Sequence, residues 1–186
     1  NMLEWILFKN KYTSKVKAAF LTEKYNYYEN KNSDIYTFGQ VNSLFLRHDF
    51  IYTISESIKI NTLLDFTKSD VKGSDLLTET RTIGTGSILW KHKVSNNLDY
   101  ELGIRQEVTD MYESPLLYSA GTSFALTEFY TIKANLSKNF RIPTFNDLYW
   151  QGSGNSNLKP EHSIQGEIGN ELNYKNSKLV VTGFLI

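Results

Sequence analysis

The three histidines carry the most familiar metal-binding chemistry in this chain, but their spacing is not that of a metal site. His48, His92 and His162 are separated by dozens of residues, and the chain of 186 residues contains no cysteine. Metal sites usually draw their ligands from closely spaced His, Cys or acidic residues. The sequence therefore predicts no bound metal and no cofactor.

Two glycine-containing stretches have the composition of phosphate-binding loops. They read GTG at residues 84–86 and GSGN at residues 152–155. A phosphate loop joins a strand to a helix and continues into Gly-Lys-Ser/Thr, which neither stretch does. The chain also lacks the Gly-x-Ser-x-Gly motif that presents a nucleophilic serine. The sequence therefore predicts that the protein is not an enzyme.

Aromatic side chains beside hydrogen-bonding groups are the best candidates for contacts with a small molecule. A ring with a nearby polar group can hold a flat macrocycle or a metal chelate. We expect such contacts from loop residues, namely Tyr27, Tyr28, Met111, Tyr112, Trp150 and Gln151. Their neighbours Phe145, Leu148 and Tyr149 are predicted instead to pack their own loop against the rest of the protein.

Composition indicates which elements position these side chains. The chain has 12 Tyr and 11 Phe but only 3 Pro, and 20 Lys and Arg balance 20 Asp and Glu. Aromatic residues pack well on a pleated sheet, and a chain of zero net charge has no general basic surface for nucleic acid. The sequence therefore predicts an all-β protein that does not bind nucleic acid.

Apolar and polar residues alternate over segments of about ten residues. At residues 129–140 the even positions are mostly apolar and the odd positions from 131 onward are polar, and residues 98–109 repeat this pattern. Weaker alternation marks four further segments, at residues 44–54, 58–66, 81–94 and 162–172. A period of two is that of a β-strand. About ten strands can be drawn along the chain, with no convincing helix.

Short and long connections alternate between these strands. Tight links are predicted near residues 9–11, 55–57, 95–97, 126–128 and 175–177. Long loops are predicted at residues 26–34, 68–79, 110–114 and 139–163. In an up-and-down meander, all tight turns then lie at one end of the sheet and all long loops at the other. That asymmetry is typical of an outer-membrane β-barrel, although a soluble β-sandwich or lipocalin-like barrel also alternates and remains the alternative.

The longest loop carries a motif that resembles a signature of TonB-dependent outer-membrane receptors. Its first part reads FRIPTFNDLYW, and its second part reads GNSNLKPEHS and leads into a strand with Glu-x-Gly. The matching residues are Phe140, Arg141, Pro143, Thr144, Phe145, Asn146, Asp147, Leu148, Tyr149, Gly154, Asn155, Leu158, Lys159, Pro160, Glu161, Ser163, Glu167 and Gly169. The motif looks most like that of receptors for cobalamin, haem and ferric siderophores.

The resemblance implies an antiparallel, up-and-down transmembrane β-barrel of 22 strands in the outer membrane of a Gram-negative bacterium. Such receptors import a scarce nutrient with energy from TonB, which grips a segment ahead of an amino-terminal plug domain. We therefore expect residues 1–186 to be an internal barrel segment of about ten strands. The plug, the TonB-binding region and the remaining strands would lie outside it. The expected partners are TonB, the protein's own plug domain, outer-membrane lipid and the small nutrient molecule.

The polar side of the predicted strands has two interpretations. Its charged residues include Asp99, Glu101, Arg105, Glu107, Lys133, Glu167 and Glu171. They either pair across strands on a hydrated lumen wall or, as the resemblance implies, contact the plug domain. A soluble ligand-binding or adhesive β-domain is the alternative function for the whole chain.

Overall fold

A computed structural model describes residues 1–32, 34–76 and 78–186, which form ten β-strands and one short helix. The strands are β1 (Met2–Phe8), β2 (Tyr12–Tyr27), β3 (Thr37–Thr53), β4 (Ile58–Gly73), β5 (Glu79–Lys93), β6 (Leu98–Thr109), β7 (Leu117–Ala125), β8 (Tyr130–Arg141), β9 (Glu161–Tyr174) and β10 (Ser177–Leu185). The helix α1 (Phe145–Tyr149) lies between β8 and β9. Within the described ranges, no helix has the length and apolar character needed to cross a membrane.

The ten strands form one antiparallel sheet in chain order. Each strand pairs with the next, from β1 to β10, without a crossover. Hydrogen bonds close the short links, for example from the Val94 N–H to the Leu98 carbonyl at 2.9 Å and from the Leu126 N–H to the Tyr130 carbonyl at 2.9 Å. The predicted all-β, up-and-down topology is confirmed, and β1 and β10 are the two edges of the sheet.

The strand register places apolar side chains mainly on one side of the sheet and charged side chains on the other. Leu102 pairs with Ala120, and Ala120 pairs with Leu136. One residue along, Glu101 pairs with Gly121. Residues opposite each other in a ladder point to the same side, and successive residues point to opposite sides. We call the side that carries Leu102 the apolar face and the side that carries Glu101 the charged face.

Every ion pair among the described residues lies on the charged face. The pairs join Lys15 and Lys17 to Glu4, Arg47 to Asp65, Lys91 to Glu101, Arg105 to Glu107, Lys133 and Lys178 to Glu171, and Arg141 to Glu161. Most join neighbouring strands, as like-facing positions in a ladder allow. Pairing across strands therefore accounts for many of these charges, and contact with a plug domain stays a prediction.

The apolar face is apolar mainly over the part of each long strand nearest the short links. On β3 its row of residues is aromatic, aliphatic or His from Tyr52 to Leu44 and then turns polar at Asn42. His48 is accommodated because its Nε2 lies 2.9 Å from the Ser14 hydroxyl. At ~3.3 Å per residue and ~40° of tilt, this row spans roughly 20 Å. That is close to the ~25 Å apolar band of an outer-membrane barrel.

Few side chains are buried, and they cluster near the long loops. Val71 and Leu117, both on the charged face, are buried together with the loop residues Leu76 and Leu148. Most large apolar side chains of the apolar face are exposed, Leu64 at 58% among them. A contiguous exposed apolar surface marks contact with a membrane or with another protein.

The structure corrects two sequence predictions at the long-loop end. The loop predicted at residues 68–79 is wrong at its start, because β4 continues to Gly73, where it still pairs with β3. Ladder hydrogen bonds join backbones and need no apolar face, so the strand outlasts its hydrophobic alternation. The stretch 139–163 is also not wholly irregular, because β8 ends at Arg141, β9 begins at Glu161 and α1 lies between them.

Candidate functional site

Helix α1 begins with a reciprocal pair of hydrogen bonds. The Thr144 hydroxyl accepts from the Asp147 N–H at 3.2 Å, and the Asp147 carboxylate accepts from the Thr144 N–H at 2.8 Å. This capping box satisfies two N–H groups that the first helical turn leaves free. Hydrogen bonding to the Thr144 side chain, and then to its backbone, lowers the pKa of the Asp147 carboxyl. The motif residues therefore fix where the helix starts.

After the helix, the chain folds back on itself at close range. The Gly154 N–H donates to the Trp150 carbonyl at 2.7 Å, and the Asn155 N–H donates to the Asp147 carbonyl at 2.8 Å. A Cβ added at Gly154 would lie 2.6 Å from the Trp150 nitrogen and 2.8 Å from the Leu148 carbonyl oxygen. These are backbone atoms that cannot rotate away, so the close approach requires glycine at this position.

The loop at residues 142–160, which we call the rim loop, docks on the connection between β4 and β5. Leu76 and Trp150 form a β-bridge, and the Gln151 N–H donates to the Asp75 carbonyl at 2.8 Å. Leu148 is 3% exposed. Because β6 and β7 lie between β5 and β8 in the sheet, the rim loop passes over their ends to reach this connection.

Arg81, on the charged face of β5, lies against the rim loop. Its guanidinium carbon is 4.3 Å from the centre of the Phe145 ring, and its Nε donates to the Met111 sulfur at 3.4 Å. A guanidinium over an aromatic face is an attractive cation–π contact. Arg81 is only 9% exposed, and its Nη2 is buried without a hydrogen-bond partner among the residues described.

Phenol groups lie close to this arginine. Burial raises the pKa of Tyr149, and the negative charge of Glu79 adds to the effect, so the phenol stays neutral and able to donate a hydrogen bond. The Tyr149 ring lies 6.4 Å from that of Phe145. The Tyr112 hydroxyl donates to the Leu158 carbonyl at 3.3 Å, which ties a second loop to the rim loop. The cluster thus presents aromatic faces and hydrogen-bonding groups side by side.

Four of the six predicted contact residues belong to this docked region. Met111 lies against Arg81, Tyr112 bonds to the rim loop, and the adjacent pair Trp150 and Gln151 joins the connection after β4. The other two predicted residues lie elsewhere. Tyr27 ends β2, and the Tyr28 ring lies 5.3 Å from the Tyr36 ring.

Phe145, Leu148 and Tyr149 lie within the docked loop, in keeping with the packing predicted for them. Arg81 was missed by the sequence reasoning. The sequence shows that Arg81 occupies a polar position of its strand and follows a long connection. Nothing in the sequence connects it to Phe145. Among the described residues, no group of three or more His, Cys, Asp or Glu side chains is placed to hold a metal ion.

The ends of the motif join β8 to β9. Phe140 pairs with His162, with ring centres 5.3 Å apart, and Arg141 lies 3.6 Å from the Glu161 carboxylate. Further along β9, the Glu167 carboxylate accepts a hydrogen bond from the Gln165 side chain at 3.1 Å. These motif residues therefore make structural contacts at the strand ends and on the charged face.

Comparison with known proteins identifies the family. Residues 4–186 match the family model described as TonB dependent receptor-like, beta-barrel. The chain therefore belongs to the TonB-dependent receptor β-barrel family, as the motif predicted. This is a family of receptors rather than enzymes.

Two curated relatives are vitamin B12 transporters called BtuB. The one from Photobacterium profundum is 41% identical over 69 residues, which cover 37% of this chain and 11% of that protein. The one from Vibrio vulnificus strain CMCP6 is 28% identical over 125 residues, which cover 63% of this chain and 20% of that protein. The chain thus spans between about a tenth and a fifth of the curated relatives it matches.

Solved structures share the fold at low sequence identity. The siderophore receptor PirA from Acinetobacter baumannii has a TM-score of 0.86 and 15% identity, over 98% of this chain and 33% of that one. A ferric enterobactin receptor mutant from Pseudomonas aeruginosa has a TM-score of 0.82 and 14% identity, over 98% of this chain and 34% of that one. The ten-stranded sheet thus has the architecture of one part of such a barrel.

Proposed function

We propose that this chain forms part of the barrel wall and the extracellular loops of an outer-membrane receptor that imports a scarce nutrient. Family membership supports this function. The observation that carries it is the two-faced sheet, whose charged face is covered at the long-loop end by an aromatic loop. One face suits lipid, the other suits a hydrated lumen, and the loop lies where a ligand would arrive.

The proposed location is the outer membrane of a Gram-negative bacterium. The exposed apolar band has the height expected of a lipid-facing surface. The polar continuation of β3 and β4 past this band would project beyond the membrane on the side of the long loops. Outer-membrane lipid would then cover the apolar face.

The proposed full architecture is a 22-stranded barrel in which residues 1–186 are an internal segment. Coverage of about a third of the solved receptors supports this arrangement. The remaining strands would pair with the edges β1 and β10, where an unpaired N–H or C=O in lipid would be costly. A plug domain and a TonB-binding segment would lie outside the chain, and the charges of the charged face would in part contact the plug.

The proposed ligand is a ferric siderophore, haem or cobalamin. The curated relatives are named for vitamin B12 and several solved ones for siderophores, which supports this range of nutrients. Met111, Tyr112, Trp150 and Gln151 are the proposed contacts from the docked region, and Tyr27 and Tyr28 are proposed contacts from the loop after β2. TonB would supply the energy for passage through the lumen.

Uptake measurements test the proposal. The full-length protein would be expressed in a Gram-negative host that lacks its own receptors, in one strain with TonB and one without. We expect uptake of labelled cyanocobalamin, haem or a ferric siderophore only in the strain with TonB. Equal uptake in both strains, or a full-length protein that is soluble and monomeric without detergent, would contradict the proposed function.

A further inference from the structure

We propose that Arg81 is the anion-binding group of a ligand site under the rim loop, and that it takes a carboxylate, phosphate or catecholate oxygen of the imported molecule. This inference rests on the proposed function and adds a binding group and a charge class to it. The shared chemistry is an oxyanion. Siderophores offer carboxylates or catecholates, haem offers propionates, and cobalamin offers a phosphodiester.

The charge of Arg81 is not paired with a carboxylate in the described part of the chain. The three other arginines each pair with a carboxylate, and these are Arg47, Arg105 and Arg141. Arg81 is also the most buried of the four. A buried cation without a counter-charge is strongly unfavourable, so this arrangement favours an anion supplied from elsewhere.

Two contacts fix the orientation of the Arg81 guanidinium. Met111 accepts from Nε, and the Phe145 ring covers the guanidinium plane, which together orient the side chain. Nη2 is buried and has no hydrogen-bond partner among the residues that the structure describes. A planar guanidinium held in this way offers its remaining N–H groups to an oxyanion in a fixed direction, which is the geometry that arginine uses for carboxylates and phosphates.

A neutral donor lies near the charge. The Tyr149 ring lies 6.4 Å from the Phe145 ring that covers Arg81, and burial raises the pKa of Tyr149, which keeps its phenol protonated. Glu79 lies two residues from Arg81 on the same face of β5 but forms no ion pair with it. An oxyanion could therefore accept from the guanidinium without first displacing a protein carboxylate.

Binding at this site must be coupled to the rim loop. Only 9% of Arg81 is exposed, and Phe145 of α1 lies over its guanidinium. An oxyanion that reaches Nη2 must shift α1, so ligand binding changes the hydrogen-bond protection of the loop. The amides of Gly154 and Asn155, which are bonded within the loop at 2.7 and 2.8 Å, report that shift.

The test measures amide hydrogen exchange in the full-length protein in detergent, with inorganic phosphate or citrate as the probe and chloride at equal ionic strength as the reference. We compare wild type with Arg81→Met, Arg81→Lys and the control Arg105→Met, which removes an exposed, ion-paired arginine from the same face. We expect the oxyanions to change exchange at Gly154 and Asn155 in wild type and in Arg105→Met. Arg81→Met should show no such change, and Arg81→Lys should show a reduced one. Thermal unfolding of each variant checks its fold.

A purely structural role for Arg81 gives a different pattern. In that case oxyanions have no effect on wild type, or they act equally on wild type and on Arg81→Met, and either result overturns the proposal. The variant Phe145→Leu removes the cation–π contact and keeps the charge. In Phe145→Leu, oxyanions should still change the amide exchange of Gly154 and Asn155. Loss of that change, although Arg81 is intact, would also count against the proposal.

Ligand binding distinguishes the three sources of the anion and separates this inference from the proposed function. Binding of ferric enterobactin, haemin and cyanocobalamin is measured for the same variants. We expect Arg81→Met to lower the affinity for the ligand by about tenfold or more, because a hydrogen bond to a charged group is lost. Arg105→Met should change the affinity by less than about threefold, since that arginine lies outside the proposed site. Equal binding by wild type and Arg81→Met refutes the anion site while leaving transport intact. TonB-independent uptake refutes the transport proposal, whatever the oxyanion probes show.

Discussion

Docking of the rim loop depends on Leu148, and replacing this residue gives a sharp test of the site. Leu148 is 3% exposed, whereas Leu158 in the same loop is 38% exposed. Leu→Ala removes three carbons, each worth about 0.8 kcal/mol when buried, so Leu148→Ala should weaken docking by about 2.4 kcal/mol before any cavity cost. Leu158→Ala, the matched control, should have a smaller effect because its side chain is already partly hydrated.

The effect should appear as local opening rather than as global unfolding, since the loop contacts lie outside the strand ladders. Amide hydrogen exchange measures this directly. The Gln151 amide bonds to the Asp75 carbonyl only when the loop is docked, and the amides of Trp150, Gly154 and Asn155 bond within the loop only when it is folded. A change of about 2.4 kcal/mol corresponds to roughly 50-fold faster exchange at these amides. Exchange within the strand ladders should not change.

Two results would contradict the proposed role of Leu148. Wild-type exchange rates in Leu148→Ala would mean that its burial does not hold the loop. Equal acceleration in Leu148→Ala and Leu158→Ala would mean that the exposed fraction of a side chain does not predict its contribution here.

The cap of helix α1, the tight backbone contact at Gly154 and the two faces of the sheet can each be tested by substitution. The pKa of Asp147 is lowered from the ordinary value of 3.8, so the capping box should stabilise the loop fully at pH values above that ordinary value and lose this contribution as the pH falls through the folded-state pKa. Protection of the Thr144 amide, corrected for the intrinsic pH dependence of exchange, should fall on acidification, and Asp147→Asn should remove that dependence. Gly154→Ala should release the rim loop at a cost of about 1–3 kcal/mol, seen as faster exchange at the same amides, and unchanged exchange would show that the backbone can yield. Ile168→Lys on the apolar face should impair assembly into lipid vesicles by about 2–4 kcal/mol, whereas Gln165→Lys on the charged face should assemble normally, and equal assembly of the two would contradict the assignment of the faces.

Much of the fold could be predicted from the sequence, because successive residues of a strand point to opposite faces of the sheet and therefore alternate in polarity. Residues 98–109 and 130–140 alternate cleanly and lie in β6 and β8. Helix α1 was not predicted, because a helix of five residues is too short to show a 3.6-residue period. Its only local sign is the pair Thr144 and Asp147 at capping-box spacing.

The candidate site could be predicted only in part. Met111, Tyr112, Trp150 and Gln151 were recognisable as aromatic or polar side chains in long connections, and the structure brings them into one docked region. The nearness of Arg81 to the rim loop was not recognisable. Its contact with Phe145 joins residues far apart in the chain, and no spacing rule connects them.

Alternation, connection length and the motif at residues 140–169 are local properties of the chain, so the up-and-down β-strand pattern, the two faces of the sheet and the family could be predicted from them. The role of the longest loop depends instead on contacts between distant parts of the chain. The tertiary structure places Leu148 and Trp150 on the connection after β4 and Phe145 over Arg81. Such contacts join residues far apart in the chain. They form only because the sheet places the ends of β4, β5 and β8 within reach of one loop.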